Sequence, residues 1–555
     1  MSQYPKKELA QHVIATCVSH SIEHVVISPG SRNAPLTIGF SNHPSVKTYS
    51  IVDERCAAFV ALGIAQQLNK PVAIVCTSGS ALLNYYPAIA EAFYSDIPLV
   101  VISADRPSHL VDKGDGQTIR QEDVFENHIL FSANLTDNEG LKEENLNLLN
   151  YTLTVATFEK GPVHINFPMD EPLYEIVDEI ITFDKVDNQI EEQPIDVEEL
   201  QTYADIWNQS SKKMVLVGSN FPSELLQIQL DKIIQDESVI VLTETTSNIH
   251  NAQFINSIDK VIFPLTDEEL EVLQPDIVLT LGGMIISKKI KQYLRKNQPK
   301  HHWHIDSQKA FDTYFCLEKH FDISPELFFS QFFFLTKEKT SDYRKHWLEV
   351  KEVRSRKHKD YLNACNYSDL KVFETVLESI PENVQLQLGN SSIIRYAQLF
   401  DLKKSLKVFC NRGTSGIDGS TSTAIGASLF VENQTVFISG DVSFFYDSNA
   451  LWNQYIRKDF RIILINNNGG GIFKVIPGPK ESNALEYFET PHGLTAEHLC
   501  KMYGLEYQSV ASINQLNVSL PDFYTETDKP KLIEIFTPSD ENDGVLKKYF
   551  KALKE

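Results

Sequence analysis

Nowhere in these 555 residues do apolar side chains run unbroken for the length that a membrane span requires. The first residues, MSQYPKKELAQHVIATCV, also lack the apolar core and small-residue cleavage site of a secretory leader. A cytoplasmic protein without stable membrane association is expected. Basic charge is scarce as well: Lys and Arg total 51 against 74 acidic residues, a formal charge of -23. Such a chain repels phosphate backbones and anionic lipid, which argues against nucleic acid as a partner. The cysteines (Cys17, Cys56, Cys76, Cys316, Cys365, Cys410 and Cys500) are odd in number and scattered, with no close pair to clip zinc or cycle a disulfide. Buried, reduced thiols are expected. The glycine fingerprint of a dinucleotide site is also missing, since GGMII and GSNFP have the wrong spacing. A nicotinamide oxidoreductase is therefore only a remote alternative.

What is present is ordinary globular composition, 42% hydrophobic and 23% charged, over a length that one hydrophobic core does not fill. Short runs rich in Val and Ile are followed by Gly or Ser turns and then amphipathic stretches, the pattern of parallel α/β sheets. Strands are predicted at 23–28, 48–52, 71–76, 98–103 and 163–167, then at 214–217, 239–243, 276–281 and 302–305. A last group is predicted at 384–388, 407–410, 436–439, 461–465 and 531–536. The acidic, poorly patterned segment Phe183 to Leu200 reads as a connection. The charged stretch Thr336 to Tyr361 has helical spacing. The expected architecture is three consecutive parallel-sheet α/β domains, 1–182, 183–345 and 346–555.

The segment ISGDVSFFYDSNALWNQYIRKDFRIILINNNGGGIF opens with a strand ending at Gly440-Asp441 and closes with one ending at Asn466, Asn467 and Asn468. Neighbouring parallel strands share one carboxyl edge, so Asp441 and Asn468 can converge there. A carboxylate, an amide oxygen and a backbone carbonyl near Gly470 suit magnesium, which keeps phosphate oxygens and water in its octahedron. Gly469, Gly470 and Gly471 let the backbone approach closely, and the helix starting after Gly440 can aim amide groups at phosphate. Taken singly, Gly-Asp and Asn-Gly-Gly are turn chemistry. Together they point to a metal-diphosphate site.

This pattern resembles the thiamine diphosphate motif, with Val442 where many relatives carry a further glycine. The resemblance implies a cofactor cradle at Ser415, Gly416, Ile417, Gly440, Asp441, Val442, Ser443, Asn468, Gly470, Ile472 and Phe473, with the metal (magnesium, or manganese) on Asp441, Asn468 and Gly470. It also implies that Glu54, in YSIVDERCAAF, is the catalytic carboxylate that hydrogen-bonds the aminopyrimidine ring. Ile417 would prop the cofactor in its bent shape. In this superfamily the glutamate and the diphosphate site come from different subunits, so a homodimer or dimer of dimers is implied.

Two further segments, SPGSRNAPL and NRGTSGIDGSTSTAIG, resemble the 2-succinyl-5-enolpyruvyl-6-hydroxy-3-cyclohexene-1-carboxylate synthases of menaquinone biosynthesis. That family decarboxylates 2-oxoglutarate and adds the succinyl unit to isochorismate in a 1,4-addition. By motif, Ser31, Arg32, Arg106, Gln117, Arg395 and Arg412 are the implied substrate-binding residues. Lys288 is a weaker match, with Lys289 as its alternative. Guanidinium groups bind carboxylates in a planar, two-pronged geometry, which suits dicarboxylate substrates in an acidic protein. An acetolactate-synthase-like or other 2-oxoacid decarboxylase is the alternative within the superfamily. His128, His164 and His492 read as packing or surface residues.

Overall fold

The computed structural model describes residues 3–187, 192–476 and 478–554. Residues 188–191 of the acidic connecting segment lie outside the described residues. The chain is α/β, built on three parallel sheets. In spatial order the first contains Lys47–Ser50, His24–Ile27, Val72–Cys76, Leu99–Asp105, Val163–Pro168 and Phe131–Asn134. The second contains Val239–Thr243, Lys213–Val217, Ile277–Leu281, His301–Ile305 and Leu317–Phe321. The third contains Lys407–Phe409, Gln385–Leu388, Thr435–Gly440, Arg461–Asn466, Lys531–Phe536 and Glu506–Val510. Numbered along the chain within each unit, the first and third sheets have the same strand order, 2-1-3-4-6-5, and the middle sheet has 2-1-3-4-5. All three reverse direction beside their first strand, so each opens a crevice at the carboxyl ends there.

Five strands are absent from the sequence reading: Phe131–Asn134, Leu317–Phe321 and Glu506–Val510 are edges of the three sheets, and Tyr4–Pro5 and Ile176–Val177 pair as a separate two-stranded antiparallel sheet. An edge strand has solvent on one side and is short or polar, so its composition does not stand out from a loop. The charged stretch in the chain's middle is the helix Tyr343–Ala364, which buries Tyr343, Trp347, Arg354, His358 and Leu362 along one stripe. Among the described residues, no helix is long and apolar enough to cross a membrane.

The first and third units share a core. Phe59, Ile64 and Leu82 from one and Ile425, Phe437 and Phe460 from the other belong to a single buried cluster. Its centre is the crossing of helices Glu54–Leu68 and Ser420–Ser428. Here the backbones touch: a Cβ on Gly63 would lie 2.1 Å from the Thr423 carbonyl oxygen, and one on Gly426 2.1 Å from that of Val60. The buried Asp447 carboxylate closes one end, accepting hydrogen bonds from the Ser422 backbone at 2.8 Å and hydroxyl at 3.0 Å, with the Arg55 guanidinium 3.6 Å away. The crossing fixes the Glu54 end of its helix against the third unit.

Candidate active site

The third sheet sends four loops to one edge. Strand Thr435–Gly440 ends on Asp441, and its neighbour Arg461–Asn466 runs into Asn468, with Gly440 paired to Ile465. The Asp441 carboxylate is 3% exposed, and the turn after the second strand wraps it. Its Oδ2 accepts the backbone N–H groups of Asn467 (3.1 Å) and Gly469 (3.0 Å), and its Oδ1 that of Val442 (2.7 Å). Burial pushes this carboxyl up to about 6. Asn468 adopts φ 63°, a left-handed conformation that asparagine tolerates, and its backbone N–H donates to Asn466 Oδ1 at 3.0 Å. At Gly469, φ is 144° and a Cβ would meet the Glu489 carbonyl oxygen at 2.5 Å, so no larger residue fits. The Gly470 carbonyl accepts the Phe473 N–H at 3.1 Å, which occupies one of its two lone pairs. Among the described residues, no three His, Cys, Asp or Glu side chains cluster as metal ligands. A cation at this edge would rest on carboxylate, amide and carbonyl oxygens, the donor set that magnesium prefers.

The loop Asn411–Ile417 follows strand Lys407–Phe409 at the same edge. Asn390, 1% exposed, donates to the carbonyls of Asn411 and Gly416, each at 2.7 Å, and accepts Arg412 Nη1 at 2.7 Å. Ser443 donates its hydroxyl to the Ile417 carbonyl at 2.6 Å, joining this loop to the one that carries Asp441. The exposed Ser415, at φ 62°, donates back to the Arg412 carbonyl at 3.3 Å. From the first unit, the buried Glu91 accepts the N–H groups of Gly413 and Thr414 at 2.7 Å and the Thr414 hydroxyl at 2.8 Å. Neither Glu91 nor Asn390 was identified from the sequence. Glu91 does carry a signal, a lone charge within the apolar helix YPAIAEAFYS.

Arg395 and Arg412 stand close enough to repel each other. Burial, then the Arg412 charge, lowers the Arg395 guanidinium below its ordinary range. Arg395 Nη1 donates to the Ser391 carbonyl at 2.7 Å, and the buried Nε of Arg412 has no hydrogen-bond partner among the described residues. The first sheet repeats this at its own carboxyl edge. Arg32 is 5% exposed, donates to the Met169 carbonyl at 2.9 Å and pairs with Glu171 at 3.2 Å. Burial, then the nearby Arg106 charge, lowers its guanidinium. Arg106 lies 3.7 Å from Asp115, and its buried Nε is without a hydrogen-bond partner among the described residues. Two guanidinium pairs, each with an unmatched buried N–H, have the chemistry of carboxylate receptors.

Ser31 shares a hydrogen bond of 2.9 Å with the Tyr174 hydroxyl. Gln117 is exposed at φ 55°, its backbone against Gly79. Glu54 opens its helix half-buried, and its carboxylate has no hydrogen-bond partner among the described residues. Among the described residues, none of Glu54, Ser31, Arg32, Arg106 and Gln117 forms a hydrogen bond to the third unit, although Asp53 and Arg55 on either side of Glu54 do. Lys288 starts the helix Lys288–Lys296 and is exposed, whereas Lys289 holds its ammonium 4.4 Å from the Phe263 ring centroid. Ile472 and Phe473 follow the glycine turn, with the Phe473 ring against Gly470 and Phe488.

His128 and His164 are packing residues. His128 shares a hydrogen bond with Tyr86 at 2.9 Å, and His164 is fully buried beside Ser103, where burial holds its imidazole down to about 3. His492 departs from the sequence reading, because its Nε2 lies 3.4 Å from Asp441 Oδ2.

Glu244 was also missed. It is 2% exposed and accepts the N–H groups of Ile286 and Ser287 (the latter at 2.6 Å) just before Lys288. Burial raises its carboxyl to about 7. The folded state therefore favours the protonated form, so this group's stabilising contribution is complete below its unfolded value and lost as pH rises through about 7. Glutamine has no proton to lose. The melting temperature of Glu244→Gln relative to the unsubstituted protein is expected to rise between about pH 5 and pH 8 in scanning calorimetry. A pH-independent difference would contradict this.

The first residues of the chain match the family described as thiamine pyrophosphate enzyme, N-terminal TPP binding domain, over 7–126. The middle domain of thiamine pyrophosphate enzymes matches over 186–388, and the C-terminal TPP binding domain over 388–535. Among individual proteins, the chain is 53% identical over 554 residues to the 2-succinyl-5-enolpyruvyl-6-hydroxy-3-cyclohexene-1-carboxylate synthase of Flavobacterium johnsoniae, covering 99% of this chain and 100% of that one. The synthase of the same name from Flavobacterium psychrophilum is 54% identical over 552 residues, with 99% and 100% covered. That from Porphyromonas gingivalis is 36% identical over 570 residues, with 99% and 98% covered. Three matching domains in the order of the three sheets, and relatives aligned from end to end, lead to one assignment: the chain belongs to the 2-succinyl-5-enolpyruvyl-6-hydroxy-3-cyclohexene-1-carboxylate synthase family of thiamine diphosphate-dependent, carbon-carbon bond-forming enzymes.

Proposed function

We propose that this enzyme decarboxylates 2-oxoglutarate and adds the succinyl unit to isochorismate by 1,4-addition, in cytoplasmic menaquinone biosynthesis. The observation that carries the reading is the convergence of the buried Asp441 carboxylate, the Asn467–Gly470 turn and the Arg395–Arg412 pair at one sheet edge. Asp441, the Asn468 amide oxygen and the Gly470 carbonyl would hold magnesium, with manganese as the alternative, against a diphosphate. Ser415, Gly416, Ile417, Gly440, Val442, Ser443, Ile472 and Phe473 would enclose the cofactor. Thiamine diphosphate, when bound, supplies a carbon nucleophile and an electron sink for decarboxylation.

The chain's own groups bind and orient. Arg395 and Arg412 on one side, and Arg32, Arg106, Ser31 and Gln117 on the other, would clamp carboxylates, with Lys288 as an additional cation. Glu54 would hold a proton against a ring nitrogen of the aminopyrimidine. In the superfamily that the sequence resembles, the glutamate and the diphosphate site come from different subunits, and on that ground we assign a homodimer or a dimer of dimers. The three units would divide as 1–182, 183–345 and 346–555. Purified protein with thiamine diphosphate, magnesium and 2-oxoglutarate is expected to consume isochorismate, and pyruvate in place of 2-oxoglutarate to give little turnover. Formation of acetolactate from pyruvate alone would overturn the substrate assignment.

A further inference from the structure

The C-terminal helix Asn542–Lys554 buries Tyr549 and Leu553 against the third unit. Lys547, Lys551 and Lys554, at the spacing of one helical face, line a cavity of about 690 Å³. The facing walls are Lys288 and Lys289 of the middle unit and Arg395 of the third. The lining also includes the stacked rings of Phe263 and Phe550, whose centroids are 3.9 Å apart. In a chain of net charge -23, this cavity carries seven basic side chains and four acidic ones.

Two of the acids neutralise lysines of the same lining, and the other two accept hydroxyl and amide hydrogen bonds, which leaves the basic side chains in excess. Glu489 pairs with Lys474 at 2.5 Å and Asp543 with Lys547 at 3.1 Å. Asp259 accepts the Ser287 hydroxyl, and Asp369 accepts the Thr537 hydroxyl at 2.6 Å and the Asn467 amide at 3.0 Å. Lys288 and Lys554 have no ion-pair partner among the described residues. A concave surface with excess positive charge and partly apolar, low-dielectric walls focuses field and concentrates anions.

We propose that this cavity is the vestibule through which the dicarboxylate substrates approach Arg395, with the lysine face of the C-terminal helix as its electropositive mouth. The inference rests on the substrate reading above and adds to it a helix that lies outside every motif. Lys551 and Lys554 act at a distance on free substrate, so their removal changes capture rather than the bond-making steps.

The test uses the full chain loaded with thiamine diphosphate and magnesium, in unsubstituted form and as K551E/K554E and K551R/K554R. At low ionic strength, kcat/KM for 2-oxoglutarate and isochorismate is expected to fall about tenfold in the glutamate variant, through KM. The loss should shrink as salt screens the field, and the arginine variant should match the unsubstituted enzyme. A glutamate variant equal to the unsubstituted enzyme at low salt, or a deficit indifferent to salt, overturns the proposal. Calorimetric binding of 2-oxoglutarate separates the two readings. Weakened binding in K551E/K554E without turnover in any form would sink the substrate reading and keep the vestibule. Normal turnover with equal binding in all forms would do the reverse.

Discussion

Glu54→Gln is expected to lower kcat by about 10² to 10⁴-fold, the range that a positioned proton-transfer group contributes, while thiamine diphosphate still binds. The neighbouring residue shows why the protein should survive the change. Asp53 caps the helix, accepting the Cys56 N–H at 3.2 Å, and also accepts the Asn449 amide at 2.8 Å. The structural duty at this helix start is thus discharged by Asp53, and the Glu54 carboxylate is left without a partner among the described residues. Its remaining structural role is its charge near the helix N-terminus, a matter of about 0.3 to 1 kcal/mol. Stopped-time assays and thermal melts on the same preparation separate the two contributions. Undiminished turnover would remove Glu54 from the catalytic list.

Asp441→Asn should fail differently, through binding. One carboxylate oxygen becomes an amide NH₂, which cannot accept from the N–H groups that now converge on it. If it replaces Oδ2, those of Asn467 and Gly469 are stranded; if Oδ1, that of Val442. Leaving a buried donor unpaired costs about 1 to 3 kcal/mol, so the unliganded protein should melt earlier. On the proposed assignment, the cation would also lose its one charged ligand. Groups that merely support a metal ligand are worth about 10 to 100-fold in affinity, and loss of the ligand itself should reach at least the upper end of that range. Equilibrium dialysis with manganese reads this directly, and unchanged affinity would place the metal elsewhere.

The sequence made the interior of each sheet legible because a strand covered on both faces is a continuous run of Val, Ile and Leu, as in IVLTL or RIILIN. It concealed three of the six edge strands, FSAN, LEKHF and EYQSV, which are half-exposed and mix polar with apolar residues, whereas the opposite edges at Lys47–Ser50, Val239–Thr243 and Lys407–Phe409 were read. The candidate site residues stood out in the sequence for a related reason. Asp441, Asn468, Arg412 and Arg106 each follow such a run at the point where the chain turns polar. Glu91, Asn390 and Glu244 did not, because their partners are backbone groups far along the chain. Glu91, for example, meets Gly413 and Thr414 only after the first unit has packed on the third. His492 is a similar case, as its closeness to Asp441 depends on the path of the loop after the glycine turn.

The most direct test of the account is a calorimetric titration of thiamine diphosphate into the unsubstituted enzyme, with magnesium and then with a chelator. If Asp441 and the asparagine-glycine turn grip a diphosphate through a divalent cation, one cofactor binds per chain with magnesium, and affinity falls by two orders of magnitude or more, on the order of 100-fold, once the metal is removed. Equal affinity with and without the metal would contradict it.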